Sequence, residues 1–247
     1  LFIISIISFI NQSPSLIASF STAQPFNNQL GILIASSLVG GLFISIIPAI
    51  LIASSHFLLW EKKKAKGGPG LVEGIAVGIA VAGIFALVNS FQPSLSPVWP
   101  SLSSAASRFP FFEVLSNIGS FLTSLGFMTF MVLFISEKTK SWTANKVLFS
   151  ILFIFLGLII TGTNNITGIG PWVVSGIFVG LVFRWLYISI LRYKPDLMIF
   201  IISTLTILNL LYEILIPSFP GAALGSAIMI TLIIVFNYCW VKFYSTS

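Results

Sequence analysis

Charge is what this sequence has least of. Only 7% of its 247 residues are Asp, Glu, Lys or Arg, whereas a soluble domain carries about 25%. Apolar residues make up 57% of the chain, and the mean hydropathy is +1.07. A surface of that composition suits lipid rather than water, so the sequence excludes most soluble fold classes and predicts an integral membrane protein.

Cysteine and histidine are almost missing. The single cysteine, Cys239, has no partner for a disulfide, and the single histidine, His56, is too few for a zinc site. A serine protease triad would have to use His56 as its base, and the phosphate-binding loop GxxxxGK[ST] is lacking. We therefore predict no catalytic, cofactor-binding or metal-binding residue, and a non-enzyme is favoured over an enzyme.

Long apolar runs are abundant. A hydrocarbon layer about 30 Å thick requires about 20 apolar residues of helix. Seven runs qualify, and Leu1 to Ile10 resembles the remainder of an eighth. The seven runs lie near residues 30–60, 71–91, 117–136, 147–162, 172–192, 197–216 and 223–243. We predict an all-α, polytopic transmembrane helical bundle of seven to eight spans, forming a single integral membrane domain over residues 1–247.

Three segments depart from this simple layout. Residues 1–29 combine the partial first span with an outer loop from Asn11, and the proline-rich residues 92–116 form a long outer loop. For that loop we favour a cap along the membrane surface over a re-entrant segment. The run 30–60 is longer than one span, so it should tilt, kink near Pro48 or continue beyond the interface.

Basic residues mark one side of the predicted bundle. Alternate loops and the last helix end carry ten Lys and Arg, whereas the opposite loops carry only Arg108. Loops rich in Lys and Arg stay cytoplasmic, so we predict a cytoplasmic C-terminus, most simply in a prokaryotic plasma membrane. The same lysines suit contact with anionic membrane lipids. Their position at the ends of apolar runs argues against a nucleic-acid partner.

Ionisable residues inside a bilayer indicate function by default, because burying them is costly. Arg184 lies about eight residues, or roughly 12 Å, inside the end of its helix. Glu73 and His56 fall near the same level on other helices, so an Arg184–Glu73 pair with His56 beside it is geometrically allowed. The alternative is that Arg184 extends to the interface. A second polar group near the outer face would comprise Glu213, Glu113 and Arg108.

Small residues recur at helical spacing in three places. Helices in lipid associate where small side chains let their backbones approach closely. Internal packing is one interpretation of this pattern, and a homodimer seam is the other. The candidate packing residues are Gly74, Gly78, Ala82, Gly176, Gly180, Gly221 and Gly225.

Three segments carry a resemblance to a known family: FSTAQPFNNQ (Phe20–Gln29), FISEKTKSW (Phe134–Trp142) and FPGAALGSA (Phe219–Ala227). Their layout resembles the membrane bundle of large bacterial CPBP proteins, relatives of the CAAX-processing intramembrane proteases. That family works through a paired-glutamate motif, EExxxR, and histidines on other helices. This sequence has no adjacent glutamates and one histidine, so the resemblance implies a divergent or accessory portion, and no active-site residue is carried over.

The sequence thus predicts a non-catalytic membrane subunit or scaffold domain of a larger assembly, in contact with membrane lipids and other membrane subunits. Two alternatives remain open. One is a small-solute or lipid permease, which a solute bound beside Arg184 would favour. The other is a fragment or divergent member of a CPBP-type intramembrane protease system.

Overall fold

The architecture comes from a computed structural model that describes residues 2–63, 70–95, 110–140, 142–161, 169–216 and 222–246. These residues form eight α-helices and one π-helical turn, and the described ranges contain no strand. The predicted all-α class is confirmed. The helices are α1 (Phe2–Ala18), α2 (Phe26–Lys63), α3 (Leu71–Leu95), α4 (Pro110–Lys138), α5 (Lys146–Thr161), α6 (Ile169–Leu186), which the π-helix Tyr187–Leu191 continues, α7 (Leu197–Leu215) and α8 (Ala222–Thr246).

Five of the described helices are long and apolar enough to cross a membrane. Two more apolar stretches, Leu71–Leu87 in α3 and Lys146–Thr161 in α5, are shorter. Helices of this kind indicate a membrane-embedded protein, although the predicted count of seven to eight spans goes beyond these five. The five candidate spans are Phe26–Ser54, Ile118–Lys138, Trp172–Leu191, Leu197–Leu215 and Ala222–Lys242.

The first connection is shorter than the predicted outer loop from Asn11 to Gln29. Helix α1 continues to Ala18, and α2 already begins at Phe26. The polar residues that indicated a loop form hydrogen bonds within the helix: the Ser13 hydroxyl donates to the Ile10 carbonyl over 2.8 Å, and Ser15 bonds the Gln12 carbonyl at the same distance. Such local bonds let serine remain in a helix.

The long outer loop predicted over residues 92–116 is also helical at both ends. Helix α3 runs to Leu95, and α4 begins at Pro110. Proline is favoured at a helix start because the first residues need no amide donor for an intrahelical bond. The predicted surface cap is therefore confined to residues 96–109, which lie outside the described ranges.

The chain forms two compact units. The first unit comprises Leu1–Ser54, Ser101–Phe127 and Thr206–Ser247. The second comprises Ser55–Pro100 and Met128–Leu205. The single domain that the sequence predicts over residues 1–247 stays a prediction.

In the first unit, α2 contacts α1 and α4 at glycines. A Cβ on Gly41 would lie 2.6 Å from the Ser5 Oγ, and one on Gly126 would lie 2.8 Å from the Ile52 Cγ1. Both positions therefore require close helix contact without a side chain. At both positions glycine is needed because a neighbouring helix packs closely, and not because the backbone turns.

The core of the second unit is the beginning of α7. Six consecutive residues, from Leu197 to Ile202, are no more than 5% exposed. A helix buried around its whole circumference lies inside its unit rather than at the periphery. Helix α3 lies directly against it, because a Cβ on Gly74 would be 2.5 Å from the Phe200 Cβ.

Candidate functional site

The closest helix contact in the second unit joins α5 and α6. A Cβ on Gly157 would overlap the Gly176 carbonyl oxygen and lie 2.7 Å from the Cα of Gly180. A Cβ on Gly180 would in turn lie 2.6 Å from the Cα of Ile154. These obstacles are backbone atoms that cannot move aside, so the contact depends on glycine in both helices. It fixes the position of α6 relative to α5.

The turn between α4 and α5 is held by Thr139. Its hydroxyl bonds the Ile135 carbonyl at 2.6 Å and accepts the Trp142 amide at 3.0 Å, while its own carbonyl accepts the Thr143 amide at 2.8 Å. The left-handed backbone of Lys140 (φ 47°) and Trp142 (φ 72°) is unfavourable for residues other than glycine. The Thr139 bonds offset that cost and direct the Trp142 side chain inward.

Three aromatic rings meet beneath this turn. The Trp142 ring centroid lies 5.5 Å from that of Tyr187 and 6.1 Å from that of Phe153, and Tyr187 and Phe153 are 5.4 Å apart. All three side chains are buried. The Tyr187 hydroxyl lies 3.3 Å from the Thr139 hydroxyl, so its polar end has a partner. The cluster joins α4, α5 and α6 at the end of the second unit where Lys138, Lys140 and Lys146 lie, which we call the lysine-rich end.

Arg184 lies beside this cluster, in the part of α6 that belongs to a candidate span. Its Nε donates to the Ser150 hydroxyl over 3.0 Å, and its guanidinium carbon is 6.0 Å from the centre of the Trp142 ring. The Ser150 hydroxyl donates in turn to the Lys146 carbonyl over 2.7 Å. Because that hydroxyl has one hydrogen, it can only accept from Arg184. The side chain is thus anchored at one nitrogen and over one ring face.

Glu73 lies at the start of α3 and forms an ion pair with Lys194, whose Nζ is 2.5 Å from the Glu73 Oε2. Both side chains are more than half exposed, so water weakens the attraction. Burial raises the pKa of Asp196, which follows two residues later, above the ordinary aspartate value, while its own backbone amide and the Lys194 charge act in the opposite direction. This small charged group lies outside the candidate spans.

These contacts concern two members of the predicted cluster of Arg184, Glu73 and His56. Arg184 bonds Ser150 and Glu73 pairs with Lys194, so the two residues have different partners. His56 belongs to α2, and its side chain lies outside the described part of the structure. The sequence gave no sign of Ser150 as the partner of Arg184, because Ser150 is one of many serines in apolar runs.

The predicted packing residues fall on several contacts. Gly74 and Gly78 face α7, where a Cβ on Gly78 would lie 2.6 Å from the Thr204 Cβ. Gly176 and Gly180 face α5. Gly157, their essential counterpart, was missed because it stands alone in an apolar run. Of the remaining candidates, Ala82 is partly buried in α3, Gly225 is buried in α8, and Gly221 lies outside the described residues.

At the predicted outer side, Glu213 has a neutral partner. The Ser226 hydroxyl donates to the Glu213 Oε2 over 3.0 Å, which joins α7 to α8 within the first unit. Arg108 and the side chain of Glu113 lie outside the described residues, so the proposed group of three stays a prediction.

Among the residues that the structure describes, no three His, Cys, Asp or Glu side chains come together as a metal site would require. Comparison of the chain with protein-family models, curated proteins and solved structures finds no match. The chemistry of the second unit's lysine-rich end therefore has to be inferred from its own residues.

Proposed function

We propose that this chain is a multi-pass integral membrane protein with seven or eight spans, and that it acts as a non-catalytic subunit or scaffold of a larger membrane assembly. The higher span count adds α3 and α5 to the five candidate spans, with α1 as the eighth. The C-terminus is then cytoplasmic, most simply in a prokaryotic plasma membrane.

The path of α5 beside α6 supports a sixth span. The two helices are in contact from Ser150 and Arg184 at one end to Leu158 and Trp172 at the other, where the Trp172 indole donates to the Leu158 carbonyl over 3.1 Å. Since α6 belongs to a candidate span, a helix beside it over this length occupies the same layer. Helix α5 spans about 24 Å, so it nearly crosses that layer.

Helix α3 supports the remaining span in the same way. It runs parallel to α7, because Gly74 faces Phe200 and Gly78 faces Thr204, each one helical turn further along. The ion pair of Glu73 with Lys194 lies at the starting end of both helices. Both therefore begin on the side where the sequence concentrates its lysines.

The observation that carries the subunit role is the exposure of α2. Only 6% of the most apolar 18-residue stretch of α2 is buried, whereas 50% of the corresponding stretch of α7 is buried. Large apolar side chains such as Phe43 and Ile50, each 60% exposed, lie along it. We infer that a neighbouring membrane subunit covers part of this helix. The permease and CPBP-type alternatives have no comparable support in the described contacts.

The test is purification in a mild detergent followed by native mass spectrometry, with cross-linking from α2. In a Cys239→Ser background, a photoreactive probe at Phe43→Cys should react with the same co-purifying subunit that sets the mass of the complex. A probe at Val235→Cys, exposed on α8, serves as the control. A monomer that cross-links only to lipid from both positions would contradict the subunit role.

Orientation has its own test. In the same background, Lys140→Cys and Ala23→Cys, both exposed between helices, should react with an impermeant thiol reagent from opposite sides. Labelling of Lys140→Cys only in inverted vesicles is expected. Labelling of that position in intact cells would contradict the cytoplasmic C-terminus.

A further inference from the structure

Arg184 carries a positive charge within a candidate span, yet its contacts are with neutral groups. They are the Ser150 hydroxyl and the Trp142 ring. Within the described ranges, the Glu73 carboxylate pairs with Lys194, and no carboxylate lies within 4 Å of a guanidinium nitrogen of Arg184. An unneutralised charge within a membrane span costs several kcal/mol, so an anion from outside the described residues would stabilise it.

The guanidinium has hydrogen-bond donors available for such an anion. Of the five N–H donors in an arginine side chain, the Nε donor is committed to Ser150, which leaves the four terminal donors. Ser150 cannot compete for an anion, because its hydrogen already bonds the Lys146 carbonyl. The side chain is partly exposed, and its terminal nitrogens are not among the buried side-chain atoms that lack a partner in the described residues. Paired terminal donors match two oxygens of a phosphate.

Lys146 supplies a second positive charge one helical turn from Ser150, the partner of Arg184. It lies four residues before Ser150, on the same face of α5 and one turn nearer to the helix end. Its side chain is exposed. One phosphate facing both residues leaves the site with excess positive charge, which favours an anionic headgroup over one that also carries an ammonium group.

The surroundings distinguish a phospholipid from a free phosphate ion. Leu181 and Ile177 lie three and seven residues before Arg184, on the same face of α6. They are 47% and 39% exposed, which forms an apolar strip leading from the guanidinium into the span. An acyl chain gains contact along such a strip, whereas an inorganic ion does not.

We propose that Arg184 and Lys146 bind the phosphate of an anionic membrane phospholipid whose acyl chain lies along Leu181 and Ile177. The proposal rests on the membrane location under the proposed function, but it does not depend on the subunit role. Trp142 and Ser150 act as positioning residues, because they hold the guanidinium without using its terminal donors.

The experiment measures lipid adducts on the purified chain by native mass spectrometry, after incubation with phosphatidylglycerol or phosphatidylcholine. Phosphatidylglycerol should be retained preferentially. Arg184→Gln should weaken its retention about tenfold, the size expected for losing a charge-assisted hydrogen bond. Lys146→Gln should weaken it less, and Lys138→Gln, which removes an exposed lysine at the end of α4 outside the proposed site, should weaken it least.

Three outcomes would overturn the proposal: equal retention of both lipids, unchanged retention in Arg184→Gln, or displacement of the lipid by millimolar inorganic phosphate that itself protects the protein from heat. If Arg184→Gln does not fold, the exposed Lys146→Gln variant decides between the outcomes. Extraction of the chain from membranes by alkaline carbonate would contradict the membrane location itself, whereas an inserted chain without lipid preference would contradict only this inference.

Discussion

The α5–α6 pair and α2 use similar residues to opposite effect. Both contain glycine in apolar surroundings, yet Gly157 touches the backbone of α6, whereas a Cβ on Gly31 or Gly40 of α2 would have no neighbour within 4 Å among the described residues. The difference lies in the partner: Gly157 meets Gly176 and Gly180, so each backbone can approach the other. Glycine alone does not make a contact, and at Gly157 the backbones meet because the facing helix also carries glycine.

Hydroxyl groups show the same contrast. In α2, Ser36 and Ser37 both bond the Leu33 carbonyl of their own helix, at 3.0 and 2.7 Å. At the lysine-rich end of the second unit, Thr139 and Ser150 bond residues on neighbouring helices in addition to a carbonyl of their own helix. Polar groups in α2 are thus satisfied locally, while those beside Arg184 join helices together.

The largest expected difference between the two regions comes from adding one methyl group to each. Gly157→Ala should lower the free energy of unfolding by about 3 kcal/mol, because the new carbon overlaps α6 backbone. Gly31→Ala should leave stability unchanged or raise it by up to about 1 kcal/mol through helix propensity. Unfolding by sodium dodecyl sulfate in mixed micelles measures both. Equal effects would show that the α5–α6 contact is looser than described.

The next comparison removes one hydroxyl from each region. Thr139→Val should cost about 1–3 kcal/mol of unfolding free energy, because the Trp142 amide and the Tyr187 hydroxyl both lose a partner. Ser36→Ala should change it by less than about 0.5 kcal/mol, since that bond is exposed and local. Near-ultraviolet circular dichroism of Trp142 should change only in Thr139→Val, and an unchanged spectrum would argue against the turn's role.

A smaller effect should appear in the pH dependence of stability. Burial raises the pKa of Asp196 in the folded state, so the folded protein binds a proton more tightly than the unfolded chain. Stability should therefore fall as pH rises from the ordinary aspartate range, near pH 4, up to the raised pKa. Asp196→Asn should remove that part of the slope in a thermal melt across pH 4–7. Parallel slopes in the two proteins would contradict the burial of this carboxylate.

The smallest effect belongs to the ion pair of Glu73 with Lys194. Lys194→Gln should lower the unfolding free energy by about 0–1 kcal/mol, because both side chains are exposed. The loss should vanish at 1 M salt, where the screening length is about 3 Å. Lys138→Gln, which also removes an exposed lysine, provides the control. A loss that persists in high salt would mean that Lys194 stabilises the unit by packing instead.

Composition and hydropathy were sufficient for the all-α class and for the lipid-facing character of the chain, because both depend on sums over many residues. They misplaced the loop after Asn11, because serine is compatible with helix when its side chain bonds locally. The partners of Arg184 and Glu73 could not be predicted, since they depend on which helices become neighbours. Gly157 shows the same limit, as its role exists only opposite Gly180.

The π-helix Tyr187–Leu191 has one more consequence. The Arg192 amide bonds the Tyr187 carbonyl over 3.0 Å, five residues back instead of four, so this turn holds one residue more than an α-helical turn. The extra residue works as an angular offset of about 100° for everything that follows. Deleting one residue here would leave a continuous helix. Lys194 would then point away from Glu73, and α7 would begin at a different angle around the helix axis. The length of this turn is thus constrained as well as the identity of its buried Tyr187.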